Sequence, residues 1–95
     1  MKNIVIFGSG GHAKVIVDII EKQEKFNIAG FIDGYQEKNT VIMGYRVIGD
    51  EFSLEEIIVS NEIYGGIIGI GDNSIRAKVR DKVIKIMPNF KFVNC

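Results

Sequence analysis

The apolar and polar residues in the first third of the chain follow two different patterns. Residues 3–7 are almost wholly apolar, as is typical of a strand covered on both faces of a parallel sheet. In residues 11–23 the apolar side chains recur at helical spacing and leave charged side chains on the other side. A second apolar run covers 28–33. The pattern predicts a strand, a crossover helix and a parallel second strand.

The remainder of the chain continues this alternation with weaker signals. Ser53 and Glu56 have the spacing of a capping box, which predicts that a helix begins at Ser53. Pro88 ends the last helical pattern. The further predicted elements are short extended pieces over 41–48 broken at Gly44, a fourth strand over 64–70, a helix from 73 to 87 and a last strand over 90–93.

This order of elements predicts a Rossmann-like α/β fold. We expect a parallel sheet of about five strands, right-handed crossovers and helices on both faces. With 95 residues and 46% hydrophobic content, the chain suits one small domain that spans residues 1–95.

The charge balance and the cysteine count narrow the classes of partner. Twelve basic and twelve acidic side chains cancel, so we expect neither nucleic-acid nor membrane binding. The basic excess between Arg76 and Lys91 is interpreted as a solvated helix face. Cys95 is the only cysteine and His12 the only histidine, which favours a reducing cytoplasm, no internal disulfide and no metal site.

Candidate chemistry concentrates where the first strand meets its helix. Gly8, Ser9, Gly10, Gly11 and His12 form a glycine-rich turn whose backbone N–H groups can hold an anion at the helix N-terminus. Asp33 follows the second strand, where dinucleotide-binding folds place the acid that binds a ribose. These features predict a nucleotide-like ligand. Two alternatives remain: the glycines only form a turn while Asp33 caps a strand, and His12 only bonds a backbone carbonyl.

A second glycine turn, Gly71-Asp72-Asn73, follows the fourth predicted strand, and Arg76 lies one helical turn further on. Strands one and four flank the point where the strand order of such a sheet reverses, so both turns are expected to face one cleft. Asn73 can bind a base or sugar, and Arg76 can bind a diphosphate with its forked donors. Helix capping alone is the alternative for Asp72 and Asn73. No nucleophile pairs with a base in this pattern, so no catalytic residue is predicted.

Several segments together resemble a family of sugar acyltransferases. They are IVIFGSGGHAKVIV (4–17), GFID (30–33), GYRVIG (44–49) and IGDN-x-x-R (70–76). In order and spacing they are similar to the N-terminal domain of the sialic-acid O-acetyltransferase and bacillosamine N-acetyltransferase family. The resemblance covers nearly the whole chain. It departs at Gly34, where many members carry a second acid, which affects the choice of base or ribose.

The resemblance implies a domain that binds a UDP-sugar or another nucleotide sugar during glycan biosynthesis. It implies that the residues of both glycine turns and Asp33 bind this nucleotide sugar. In the family a left-handed β-helix follows, forms trimers, binds acetyl-CoA and carries the catalytic histidine. The chain stops where that β-helix would begin, so we expect it to bind the sugar nucleotide without transferring an acyl group and without a cofactor of its own. A small NAD-type regulatory module is the alternative function, and an assembly module with a vestigial pocket is a third.

Overall fold

The computed structural model describes residues 1–94, so Cys95 lies outside the described residues. Its strands are β1 (Lys2–Phe7), β2 (Phe26–Ile32), β3 (Val41–Ile42), β4 (Tyr45–Gly49) and β5 (Ile63–Ile68). Its helices are α1 (Gly11–Gln23), α2 (Leu54–Ser60) and α3 (Asn73–Ile86), and a 3₁₀ turn over Glu51–Ser53 precedes α2. The predicted Rossmann-like α/β fold is confirmed.

The five strands form one sheet in the order β3-β4-β2-β1-β5. β1 pairs in parallel with both β2 and β5, and β2 pairs in parallel with β4. The chain therefore leaves β1 toward β2 and later returns to the other side of β1. As predicted, the strand order reverses between β1 and β5, the place where open α/β sheets bind ligands.

The sheet is not parallel throughout, which corrects the sequence prediction. β3 pairs antiparallel with β4 through a two-residue turn, Met43-Gly44. Both turn residues have positive φ, 52° and 84°, as a tight hairpin turn of the I′ type requires. Two residues are too few for a parallel crossover, which needs a dozen or more.

Two apolar layers hold the helices on the two faces of the sheet. One layer packs Ile16, Val17 and Ile20 of α1 against alternate residues of β1 and against Phe31. The other contains Leu54 and Ile57 of α2 and Val83 of α3, packed against the opposite side chains of β1 and β5. Helices on both faces were predicted, and this part of the prediction is confirmed.

Two local predictions were wrong. Ser53 makes no side-chain cap for α2, because the 3₁₀ turn leads directly into that helix; the capping box joins Asp50 and Ser53 instead. The segment expected to form a last strand over 90–93 makes only an isolated parallel bridge between Phe92 and Gly66. Backbone hydrogen bonds from Gly66 N to Lys91 O (3.0 Å) and from Val93 N to Gly66 O (2.9 Å) hold this segment beside β5.

Candidate functional site at the carboxyl edge of the sheet

The turn after β1 begins at a glycine that no other residue could replace without strain. Gly8 has φ +90°, and a Cβ there would lie 2.8 Å from Cγ1 of Ile70. Its N–H donates to the carbonyl of Ile32, 2.9 Å away. This conformation carries the chain over the end of the sheet and into α1 within three residues.

The N-terminus of α1 is open to a ligand. Gly10 is the N-cap residue in an extended conformation, and within residues 1–94 no side chain caps this helix. Gly10 and Gly11 are exposed, and a Cβ on either would meet no atom within 4 Å. The first amides of α1 therefore keep their hydrogen-bonding capacity, at the end of the helix where the macrodipole favours an anion.

Ser9 and Asp33 form a hydrogen-bonded pair beneath this turn. The Ser9 hydroxyl is buried, with 5% of the residue exposed, and it donates to Oδ2 of Asp33 over 2.5 Å. The second oxygen, Oδ1, accepts from the backbone N–H of Tyr35 at 2.8 Å. The carboxylate is thus fixed at the end of β2, half-buried, with lone pairs remaining for a ligand hydroxyl. The structure gives Ser9 a positioning contact that the sequence did not indicate.

The turn after β5 adjoins the first turn. Gly69 donates its N–H to the carbonyl of Phe7 at 2.8 Å. Gly71 lies against the ring of His12, since a Cβ on Gly71 would be 3.6 Å from the Cγ of that histidine. The two turns thus adjoin each other at the strand reversal.

The N-terminus of α3 differs from that of α1 because a side chain caps it. The Asp72 side chain accepts from the N–H of Ile75 at 2.9 Å and caps α3, as one alternative predicted. The Arg76 guanidinium donates to Oδ1 of Asn73. Because α3 supplies its own carboxylate, α1 provides the more available anion site of the two helix ends.

Five of the predicted site residues line two separate cavities, in place of the one cleft expected from the sequence, and Asp33 also borders a third. The first, here called the Asp33 cavity, has a volume of about 700 Å³ and includes Gly8 and Asp33. The second, the His12 cavity, has about 590 Å³ and includes His12, Asn73 and Arg76. The β1–α1 turn starts in one cavity and ends in the other, so a ligand long enough to cross the turn would contact both.

The cavities differ in chemistry. The His12 cavity adds Arg80, stacked 4.6 Å above the ring of Phe92, and none of its described lining residues is acidic. The Asp33 cavity adds carboxylates, lysines and apolar side chains, among them Tyr35, Phe52 and Ile75. Sequence reasoning missed Arg80 and Phe52. The signal for Phe52 was available, since this aromatic residue precedes the helix predicted from Ser53 and has no place in the apolar stripe of that helix.

Within residues 1–94, no three histidine, cysteine, aspartate or glutamate side chains are placed so that they could hold a metal ion. None of the helices in the same range combines the length and the apolar character needed to cross a bilayer.

A family model described as the PglD N-terminal domain matches residues 3–83. Among solved structures, perosamine N-acetyltransferase from Caulobacter crescentus, in complex with CoA and GDP-perosamine, is 27% identical with a TM-score of 0.75. That match covers 90% of this chain and 39% of the acetyltransferase chain. The chain thus spans about two fifths of the length of this relative. The search of curated proteins found no match.

Two other solved structures resemble the chain in fold alone. UDP-D-quinovosamine 4-dehydrogenase from Vibrio fischeri is 18% identical with a TM-score of 0.73, over 96% of this chain and 75% of the dehydrogenase. RSP, a Rex-family repressor, is 22% identical with a TM-score of 0.67, over 92% of this chain and 42% of the repressor. Both likenesses support the Rossmann-like architecture.

Proposed function

The chain belongs to the PglD N-terminal domain family, and on that premise we propose that it binds the nucleotide-sugar substrate of a sugar acetyltransferase. Residues 1–95 act as one binding domain. Acetyl-CoA binding, acyl transfer and trimer formation belong to a following β-helix domain, and this domain contributes no catalytic residue to the transfer.

The open N-terminus of α1 is the observation that carries this proposal. A diphosphate placed over Gly10 and Gly11 would accept hydrogen bonds from the first amides of the helix, with no Cβ in its way. The position between two cavities suits a molecule with one substituent at each end of a diphosphate. A nucleotide sugar has that shape, with a nucleoside on one side and a sugar on the other.

We assign the two ends of the molecule from the side chains on each side of the turn. The Asp33 carboxylate, held by Ser9, accepts hydrogen bonds from the ribose hydroxyls. Arg76 and His12 lie on the other side of the turn and contact the diphosphate and the sugar. Asn73 offers its amide N–H groups to the sugar, since its oxygen is already bonded to Arg76. Gly71 and Asp72 shape this side of the site.

We also propose which nucleotide and which sugar are bound. We infer a UDP-linked amino sugar of the sialic-acid or bacillosamine type, handled in the cytoplasm. The related acetyltransferase was solved with GDP-perosamine, so guanosine nucleotides belong in the same test.

Isothermal titration with UDP-sugars, GDP-sugars and CMP-sialic acid tests the proposal, with NAD and CoA as comparison ligands. We expect saturable heat with at least one nucleotide sugar. No heat up to millimolar concentration from a folded domain would refute the proposal. Binding of NAD or CoA alone would favour the dinucleotide module instead.

Substitutions at Gly10 make the test specific for the helix end. In Gly10→Asp the new carboxylate caps α1, as Asp72 caps α3, so the fold stays as stable or gains about 0.3–1 kcal/mol. Nucleotide-sugar affinity should nevertheless fall at least tenfold, because the carboxylate occupies the amides and repels the diphosphate. Gly10→Asn is the matched neutral cap and should lose less affinity. Unchanged affinity in Gly10→Asp would place the ligand elsewhere.

A further inference from the structure

Two aromatic side chains stand in solvent beside the Asp33 cavity. Tyr35 is 100% exposed and Phe52 is 88% exposed, and both line that cavity. The cavity wall contributed by α3 and the segment before it is also apolar, with Ile70 and the half-exposed Ile75. Single exposed apolar residues are ordinary on protein surfaces. Two exposed aromatic rings and an apolar wall around one cavity are a more specific arrangement.

Hydrogen bonds and an ion pair fix the turn that carries Phe52, although the Phe52 ring itself is not packed. The Phe52 N–H donates to Oδ1 of Asp50 at 3.0 Å. The Ser53 hydroxyl donates to the Asp50 carbonyl at 3.1 Å, and the Asp50 N–H donates back to it at 3.3 Å. Glu51 forms an ion pair with Lys82 of α3 at 3.8 Å. The backbone therefore holds the ring at the cavity rim, and the hydrophobic core does not account for its position.

We propose that Phe52 and Tyr35 stack on the nucleobase of the nucleotide sugar, a role that rests on the proposed function above. With the ribose at Asp33 and the diphosphate over Gly10, the base has room in the remaining part of the Asp33 cavity, which includes Gly8 of the same turn. A nucleobase is planar with two weakly polar faces, so the two exposed aromatic rings meet the face on the solvent side and the Ile70 and Ile75 wall meets the other. Lys78 and Glu51 are available to its polar edges.

Another cavity borders Phe52 but suits a base less well. It has about 730 Å³, lies between β4 and α2, and includes Lys38, Arg46 and Glu56. It contains neither the Gly8 turn nor the apolar wall of α3. Asp33 and Gly34 line both cavities, so the choice between them depends on the Gly8 turn and on the Ile70 and Ile75 wall, which belong to the Asp33 cavity. The Asp33 cavity is therefore the nucleobase subsite.

Titration of Phe52→Ala with UDP, GDP and inorganic pyrophosphate tests this role. Removing a ring that stacks on a base costs about 1–3 kcal/mol, so the Kd for UDP or GDP should rise about 5- to 150-fold. Pyrophosphate has no base, and its affinity should change less than about twofold. Phe52→Leu keeps the apolar bulk without the aromatic ring, so its Kd for UDP or GDP should lie between that of the natural chain and that of Phe52→Ala. Val59→Ala, at an 80% exposed position on α2, is the control and should bind like the natural chain.

Tyrosine fluorescence gives an independent readout. Stacking on a base quenches tyrosine emission, so saturation with UDP or GDP should quench a component that Tyr35→Phe removes. Nucleotide affinity unchanged in Phe52→Ala, or an equal loss for nucleotide and pyrophosphate, would overturn the stacking role while leaving the proposed function intact. A natural chain that binds no nucleotide and no nucleotide sugar would refute both.

Discussion

Replacing Ser9 by alanine tests the contact that positions Asp33. The hydroxyl is buried and bonds the carboxylate over 2.5 Å. Hydrogen bonds to charged groups contribute about 1.5–3 kcal/mol. Asp33 is half-buried, so water can replace part of that contribution, and we expect a loss of about 1–2 kcal/mol. For a domain of this size, the melting temperature should then fall by about 4–16 °C.

Urea denaturation of four proteins measures the pair itself: the natural chain, Ser9→Ala, Asp33→Ala and the double variant. If the two side chains act together, the double-mutant cycle should give a coupling energy of about 1 kcal/mol or more. Ser74→Ala, at an exposed position on α3, is the control and should change stability by less than about 0.5 kcal/mol. Additive losses from Ser9→Ala and Asp33→Ala would show that the hydrogen bond does not stabilise the fold, and would refute this reasoning.

Three further predictions concern the packing, the capping and the titration of the fold. Gly69→Ala should destabilise the domain by about 1–3 kcal/mol in urea denaturation, because its Cβ would lie 2.9 Å from Cγ2 of Ile6 and 3.0 Å from Cα and Cβ of Ala13; unchanged stability would contradict the close packing of the turn after β5 against α1. Asp72→Ala should cost about 0.5–2 kcal/mol through loss of the α3 cap, and a neutral result would contradict it. The pKa of Tyr45 is raised above 10 because its hydroxyl donates to Glu21. The stability that this hydrogen bond contributes is therefore present below pH 10 and is lost as the pH rises through the folded pKa. Alkaline titration at 295 nm should show one tyrosine that ionises at a higher pH in the natural chain than in Glu21→Gln, and identical titration curves would count against this prediction.

Much of the fold could be predicted because its signals are local. The apolar run of β1, the glycines and the helical periodicity that follows fix the β1–α1 unit, and α1 has the predicted bounds of Gly11–Gln23. The hairpin direction was missed because it depends on Met43 with a positive φ, a conformation that methionine rarely adopts. The prediction of a cap at Ser53 was wrong because a capping box can begin at more than one residue of this segment. In the structure it begins at Asp50.

The candidate site was predictable in its backbone and less so in its side chains. The reversal of strand order between β1 and β5 follows from the element order, and it brings the two glycine turns together. The bond between Ser9 and Asp33 depends on the register of β1 against β2, which the sequence does not reveal. Phe52 and Arg80 line the cavities from positions that depend on the folded chain. Those positions are set by the 3₁₀ turn and by α3, not by any motif.

A ¹⁵N-labelled chain titrated with UDP- and GDP-linked sugars tests the central claim most directly, since each backbone amide reports its own environment. If the open end of α1 holds the diphosphate, the amide resonances of Gly11 and His12 shift most, in a saturable manner, while those of α2 stay in place. Large shifts confined to other elements, or no saturable shift with any nucleotide sugar, would contradict the account.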